Sequence, residues 1–293
     1  MITRRNFLKA GAAVAALSVV PNGFASILAK KEKAIGVQLY SVRDDLKTDF
    51  DGTMKALVDI GYKRMEAAGY RDGKFYGKSP AEMKKYLADL GARMVGSHTG
   101  SGLLAEGDTK GWDFWKNAAD TAEVGCKWIV QAGYPSKDIK SLSDVKRLAD
   151  QFNKCGEIAK ANGLRFAFHN HVDEFHELEG KIPFDVMIEN TDKGLVTFQI
   201  DTAQLVYGGF KCHDYVNRYP GRFANWHLKD ANADGKGSTE MGAGIVDFKS
   251  LFAVAEKAGL EDYFIEQERY NMTPLQAMKH DYDFLMNASY VKW

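Results

Sequence analysis

The feature that most constrains the fold of this chain is a unit of about thirty residues that occurs eight times. Each unit begins with a short β-type run and continues into a stretch with amphipathic helical spacing. Strands joined through helices pair in parallel, and eight of them close into a barrel. The sequence therefore predicts an α/β fold that is a single (β/α)8 TIM barrel. The predicted strands are Ile35–Tyr40, Arg64–Ala68, Arg93–His98, Lys127–Gln131, Arg165–His171, Val196–Asp201, Phe223–Lys229 and Tyr263–Glu268.

Helix-forming stretches lie between the predicted strands, and several have recognisable ends. Ser79, Pro80 and Glu82 provide an N-cap, a proline at the first helical position and a capping glutamate. No proline-rich or low-complexity segment divides the chain, so residues 31–293 are predicted to form one domain. The clearest helical patterns are Thr53–Ile60, Ala81–Leu90, Asp113–Val124, Asp144–Ala161 and Phe248–Ala258.

The alternation of side chains along the strands supports the barrel. In the fifth predicted strand Ala167 and His169 share one face, and in the sixth Thr197, Gln199 and Asp201 do so. A polar face that lines the barrel and an apolar face that packs on the helices explain this pattern. A doubly wound open sheet is the alternative. It would show longer apolar strands and a glycine-rich phosphate turn, which this sequence lacks.

Every predicted strand has one polar residue near its carboxyl end, where a barrel of this kind places its active site. The ring consists of Gln38, Glu66, His98, Gln131, His169, Asp201, His227 and Glu266. Imidazole and carboxylate groups together suit a divalent ion such as Mn, Zn, Co, Fe or Mg, whereas the alternative is a set of hydrogen-bonded core residues. The predicted metal ligands are His169, Asp201, His227 and Glu266. The predicted substrate-binding residues are Gln38, Tyr40, Glu66, His98 and Gln131.

Four further side chains are candidates for catalysis. Lys229 faces inward after His227 and would stabilise an enolate or donate a proton, unless it pairs with Asp230. Glu174 follows the fifth strand in a loop, where it is either an acid–base group or a solvated glutamate. The complete set of catalytic candidates is Lys229, Glu174, His171 and Glu268.

The first thirty residues have the pattern of an export signal. Arg4 and Arg5 precede Phe7, and an apolar run follows from residue 10 to residue 20. This run is too short to span a bilayer as a helix of the mature protein, so no stable membrane anchor is expected. The paired arginines resemble the twin-arginine signal. Residues 1–30 are therefore predicted to be a signal and linker, which would send the protein to the periplasm.

Charge and cysteine content exclude several classes of function. The 39 basic side chains equal the 39 acidic ones, whereas a nucleic-acid-binding protein carries a basic excess. The three cysteines Cys126, Cys155 and Cys212 are far apart, which argues against a disulfide framework or a structural zinc module. No nucleic-acid partner is expected. The oligomeric state is left open by the sequence.

At its strand ends the chain resembles the xylose isomerase-like barrel superfamily, which includes the sugar phosphate isomerases and epimerases. The resemblance spans residues 34–293 and includes Phe168-His169-Asn170-His171, Gln199-Ile200-Asp201, Trp226-His227-Leu228-Lys229-Asp230 and Ile265-Glu266-Gln267-Glu268. It implies a divalent metal held by Asp201, His227 and Glu266. Where the ketose epimerases have a proton-abstracting glutamate at the end of the fifth strand, this chain has His169. Related chains with a His-Asn-His strand end look more like lyases or hydratases of keto-sugars and inosose-type compounds.

Three classes of function follow from this combination. The favoured one is a metal-dependent carbohydrate isomerase, epimerase, lyase or hydratase that acts through an enediolate on an unphosphorylated sugar, because no phosphate-binding loop is present. A sugar-binding barrel that has lost catalysis is the alternative, favoured by the missing glutamate. An endonuclease of the same barrel type would require more metal-binding histidines and a basic groove.

Overall fold

The computed structural model describes residues 35–99 and 114–291, and the predicted signal and linker lie outside these residues. Eight parallel strands alternate with helices and close into one barrel, as the repeated unit predicts. We number the barrel strands in chain order. They are β1 (Gly36–Gln38), β2 (Arg64–Ala67), β3 (Arg93–Thr99), β4 (Trp128–Ala132), β5 (Arg165–His169), β6 (Val196–Asp201), β7 (Asn225–Leu228) and β8 (Asp262–Ile265).

Helices cover the outside of the barrel, and several of them begin at a residue whose side chain caps the helix. The Ser79 hydroxyl accepts a hydrogen bond from the backbone N–H of Glu82, and the Glu82 carboxylate accepts one from the backbone N–H of Ser79, so the predicted capping box is present. The helices are α1 (Arg43–Thr48), α2 (Phe50–Ile60), α3 (Pro80–Asp89), α4 (Phe114–Val124), α5 (Leu142–Ala161), α6 (Pro183–Glu189), α7 (Thr202–Tyr207), α8 (Cys212–Arg218), α9 (Phe248–Ala253), α10 (Ala255–Ala258) and α11 (Pro274–Asn287).

The barrel closes between its first and last strands, where Gly36 pairs with Phe264 and Val37 with Ile265. Two apolar cores result. The larger one lies between the strands and the helices. The smaller one fills the barrel interior and consists of Val95, Trp128, Val130, Ala167, Ala224 and Phe264. This interior core fills the part of the barrel nearer the amino ends of the strands. The polar residues of the inward face therefore lie at the carboxyl ends.

Several strands end earlier than the sequence pattern suggests. β5 ends at His169 instead of His171, because Asn170 leaves the ladder and binds the backbone of Asp201 with both ends of its amide. Glu266 and Lys229 likewise lie just beyond β8 and β7. The predicted helix Phe248–Ala258 is divided at Val254 into α9 and α10.

Two small hairpins follow the carboxyl ends of barrel strands. One pairs Tyr70–Arg71 with Lys74–Phe75 after β2, and its turn residues Asp72 and Gly73 both have positive φ. This Asp-Gly pair is the sequence signal for such a tight turn. The other pairs Asp230–Ala231 with Ser238–Thr239 after β7. The first of these hairpins contributes Tyr70 to the pocket described below.

Candidate active site at the carboxyl ends of the strands

Four neighbouring strands bring His169, Asp201, His227 and Glu266 together at the floor of the rim. One ligand atom from each of these buried side chains lies within 4.8 Å of the others. His169 Nε2 is 3.7 Å from Asp201 Oδ2, and His227 Nδ1 is 2.8 Å from Glu266 Oε2. Two imidazoles and two carboxylates form a mixed nitrogen and oxygen donor set.

The donor set fits a divalent ion. Asp201 Oδ2 is buried and receives no hydrogen bond of good geometry from the described residues, although Lys229 is in contact with it. Burial and the neighbouring His227 hold the pKa of His169 well below its usual value, so this imidazole is neutral, as a metal ligand must be. An ion at Nδ1 of His227 would replace the proton that this nitrogen shares with Glu266.

Glu66 of β2 lies behind His227 and contacts its other ring nitrogen, Nε2. Burial alone would raise the pKa of Glu66, but His98 and His227 hold it at about 2. Burial also opposes a charge on His227, and the carboxylates of Glu66 and Glu266 nevertheless raise the pKa of this imidazole to about 10. Gly96 makes this arrangement possible, since a Cβ there would lie 2.6 Å from Glu66 Oε1. A carboxylate behind a histidine fixes the orientation of its ring.

Gln199 connects both sides of this cluster, although the sequence pattern placed it only on the inward strand face and did not predict it as a site residue. Its Oε1 accepts hydrogen bonds from His98 Nε2 at 3.0 Å and from His169 Nδ1 at 2.9 Å. Its Nε2 donates to Glu66 Oε1 at 2.9 Å. With Nδ1 of His169 occupied in this way, Nε2 faces Asp201. Gln199 lies two residues before Asp201 on the same strand face, which is the signal that could have identified it.

Lys229 is buried among three carboxylates. Its Nζ lies 2.6 Å from Asp201 Oδ2 and 2.9 Å from both Glu266 Oε2 and Glu268 Oε1. Burial alone would lower the pKa of Lys229, but these three acids raise it well above its usual value. The alternative partner Asp230 is engaged elsewhere, since it accepts hydrogen bonds from four backbone amides of its own hairpin and of the following glycine-rich loop.

A pocket of about 560 Å³ opens above the cluster. His171 lines it, and burial lowers the pKa of this imidazole, so it is neutral at pH 7. Glu174 does not line it: this glutamate is fully buried in a 3-10 turn (Asp173–Phe175), where its Oε1 accepts the His171 backbone N–H at 2.7 Å. Burial raises the pKa of Glu174 well above its usual value. The lining also includes Tyr40, Ala68, Tyr70, His98, Thr99, Ala132, His169, Gln204, Glu266 and Glu268.

Of the five residues predicted to bind substrate, two line the pocket and three are buried beneath its lining. Tyr40 and His98 line the pocket. Gln38 is fully buried beneath it and donates to Glu66 Oε2 at 3.0 Å. Gln131 is buried as well, with its Nε2 donating to the Gly133 carbonyl and its Oε1 unpaired among the described residues. Glu66, Gln38 and Gln131 therefore lie below the residues that line the pocket.

The chain is similar to several known proteins. It is 28% identical over 165 residues to an inosose dehydratase of Clostridium beijerinckii, covering 50% of this chain and 53% of that protein. The chain thus spans about half the length of the first curated relatives it matches. An inosose dehydratase of Lacticaseibacillus casei is 26% identical over 78% of this chain and 85% of its own length. A crystal structure of a sugar phosphate isomerase/epimerase from Parabacteroides distasonis has 27% identity and a TM-score of 0.78, covering 88% of this chain and 99% of that one.

Two family models also match. Residues 1–21 match the signal sequence of the twin-arginine translocation pathway. Within the described residues, no helix has the length and apolar character needed to cross a membrane. Residues 54–288, most of the barrel, match the model described as xylose isomerase-like TIM barrel. The chain therefore belongs to the xylose isomerase-like TIM barrel family.

Proposed function

We propose that the protein is a divalent-metal-dependent enzyme that acts on an unphosphorylated keto-sugar, removing a proton next to the carbonyl and then eliminating, hydrating or epimerising. The observation that carries this proposal is the buried cluster of His169, Asp201, His227 and Glu266 at the floor of a polar pocket. An ion held by these four side chains would polarise the sugar carbonyl and acidify the neighbouring C–H bond. The inosose dehydratases and the sugar phosphate isomerase/epimerase in the comparisons support chemistry of this kind.

His171 is the proposed general base. Its imidazole lines the pocket, is neutral, and its ring centroid lies 4.9 Å from that of His169. Glu174 holds the backbone of His171 from behind and is assigned a positioning role, because it does not reach the pocket. A neutral imidazole with a pKa below neutrality accepts a proton readily at pH 7.

Lys229 and Glu268 are proposed to complete the acid–base set. The ammonium of Lys229 does not line the pocket itself, but it contacts Glu266 and Glu268, which do. It therefore acts as a positive charge directly behind the pocket wall, where Glu268 orients it. A buried cation beside a developing negative charge stabilises the transition state more than one in water does. Glu66, Gln38 and Gln199 orient the histidines and are not expected to contact substrate.

The lining of the pocket supports an unphosphorylated substrate. Among the described residues that line it there is no arginine or lysine, and the carboxylates of Glu266 and Glu268 disfavour a phosphate group. The twin-arginine signal at residues 1–21 supports a periplasmic location, so we propose that the substrate is met outside the cytoplasm.

The test is incubation of the metal-loaded protein in D₂O with a panel of keto-sugars and their phosphates. The expected result is deuterium uptake next to the carbonyl, or elimination, with unphosphorylated compounds. His171→Asn is expected to lose at least about 100-fold in kcat while it keeps its metal. Activity confined to sugar phosphates would overturn the substrate assignment, and binding of keto-sugars without turnover would make the barrel a sugar-binding protein.

A further inference from the structure

A second cavity of about 520 Å³ lies beside the catalytic pocket and has no part in the mechanism above. We call it the aromatic annex. It is bounded by α1, by the start of α2 and by Ala68, Gly69 and Tyr76, which flank the hairpin after β2. Tyr40 and Ala68 line both cavities, and both residues are exposed. The annex and the catalytic pocket are therefore neighbours across a shared ridge, so one ligand is able to occupy both.

One wall of the annex is held in an unfavourable backbone conformation. Tyr76 has a φ of 51°, a value that residues other than glycine rarely adopt. Its hydroxyl oxygen accepts the Ala68 N–H at 2.9 Å, and its ring packs so tightly on Gly69 that a Cβ there would lie 2.5 Å away. Such strain persists only where the surrounding structure enforces it, and it concentrates at binding sites. The Tyr76 ring is thus fixed in place, 5.6 Å from the ring of Phe50.

The two cations of the annex already have partners. Arg43 lies 4.5 Å over the Tyr40 ring and donates to the backbone carbonyls of Tyr40 and Glu268. Lys47 pairs with Asp44 at 2.8 Å. The other side chains of the lining are apolar or aromatic: Leu39, Tyr40, Leu46, Phe50, Ala68 and Tyr76. A second sugar ring would find few unoccupied hydrogen-bonding groups there, whereas a planar apolar group would find aromatic faces.

A polar pocket beside an apolar annex fits a ligand that joins a polar ring to an apolar group. We propose that the aromatic annex binds the aromatic aglycone of a glycoside whose sugar ring occupies the catalytic pocket. This inference rests on the proposed function only for the placement of the sugar ring. It narrows the substrate class from keto-sugars in general to aryl glycosides whose sugar ring carries the keto group.

The test compares the affinity of three probes that carry no keto group, by NMR titration: phenyl β-D-glucopyranoside, methyl β-D-glucopyranoside and glucose 6-phosphate. The phenyl glycoside is expected to bind about tenfold more tightly than the methyl glycoside. Equal affinities of the two glycosides, or no detectable binding of the phenyl glycoside, would overturn the proposal. Tighter binding of glucose 6-phosphate than of either glycoside would also overturn it, because Arg43 and Lys47 would then form an anion site.

Two variants test the location. Tyr76→Gly removes the ring with a residue that adopts positive φ freely, and Phe50→Leu keeps the apolar volume while removing the other ring. Both are expected to reduce the phenyl-to-methyl ratio to about threefold or less with the affinity for the methyl glycoside unchanged. Tyr86→Leu is the control, because this ring packs against Phe50 without lining the annex. A ratio that persists in both Tyr76→Gly and Phe50→Leu would remove the annex as the aglycone site.

The failure of this inference is distinguishable from failure of the proposed function. Selective binding of the phenyl glycoside by a protein that turns over no keto-sugar would support the aglycone site but contradict the proposed reaction. Turnover of keto-sugars without preference for the phenyl glycoside would support the proposed reaction but contradict the aglycone site.

Discussion

Nζ of Lys229 lies 2.6 Å from Oδ2 of Asp201, although one residue follows β7 and the other ends β6. The same ammonium is 2.9 Å from Oε2 of Glu266. Both carboxylates belong to the candidate metal site. A lysine ammonium and a divalent ion repel each other and compete for the same two oxygens. Metal binding at this site is therefore expected to displace Lys229 toward Glu268, its third partner.

The first prediction follows from this competition. Lys229→Met should bind Mn²⁺ at least about tenfold more tightly than the wild type, because the lysine ammonium no longer neutralises the two carboxylates. Isothermal titration calorimetry measures the affinity. Lys127→Met is the matched control, since this lysine pairs with Glu261 and Asp262 at the amino ends of the strands. Equal or weaker Mn²⁺ binding by Lys229→Met would contradict the competition.

The second prediction concerns the metal ligands. Asp201→Asn preserves the N-cap of α7, which uses Oδ1 of Asp201, but removes the ligand charge. We expect it to retain less than about a tenth of the bound metal. It should also lose the metal-dependent rise in Tm, which for the wild type reflects about 2.7 kcal/mol at a metal concentration of 100 Kd. Asp247→Asn, at the N-cap of α9, is the control. Equal metal content in Asp201→Asn and wild type would disprove the site.

The third prediction concerns the carboxylate behind His227. Glu66→Gln keeps the shape of the side chain but removes the negative partner of Nε2. The affinity for metal should fall about 10- to 100-fold, as is usual when such a supporting carboxylate is lost. Glu240→Gln, at another buried glutamate that accepts hydrogen bonds from Asn271, should leave the affinity unchanged. If both variants bind metal as the wild type does, Glu66 has no orienting role.

The fourth prediction concerns pH and lies away from the metal site. Burial raises the pKa of Asp281 from 3.8 to about 6. The folded protein therefore holds this proton at pH values where the unfolded chain has released it, and stability is lost as the pH rises from about 4 to about 6. Above pH 6 the decrease in the free energy of unfolding keeps its full value, up to about 3 kcal/mol.

Asp281→Asn removes this pH-dependent destabilisation, and the amide oxygen of the asparagine is still able to accept the hydrogen bond from the Met241 N–H. The Tm of Asp281→Asn relative to the wild type should therefore increase between about pH 4.5 and pH 7.5. Asp283→Asn, an exposed position on the same helix, is the control. A difference in Tm that is independent of pH would show that Asp281 is not perturbed.

The fifth prediction concerns export. Replacement of both Arg4 and Arg5 by lysine should leave the precursor in the cytoplasm, because the paired arginines are the feature that the twin-arginine pathway reads. Cell fractionation and immunoblotting measure the distribution. Unchanged export of the double variant, alongside a wild type that is processed near Ala25, would disprove this route.

The local pattern of the sequence was sufficient to predict the barrel and the ring of strand-end residues. Alternation along a strand is a property of the backbone, so Asp201 and His227 could be assigned to the inward face before any contact was known. The repeated unit then determines which ends of the strands converge. Even the hairpin after β2 had a local signal in Asp72 and Gly73.

Only the tertiary structure decided how these side chains pair. Glu66 and His227 are 161 residues apart, and their contact depends on barrel closure and on the space that Gly96 leaves. The exposure of Glu174 could not be read from its position in a loop, since burial depends on what packs over it. Lys229 is the sequence neighbour of Asp230 but binds Asp201. Adjacent residues of an extended backbone point to opposite faces, whereas the order of the strands in the barrel brings the carboxylate of Asp201 to the face on which Lys229 lies.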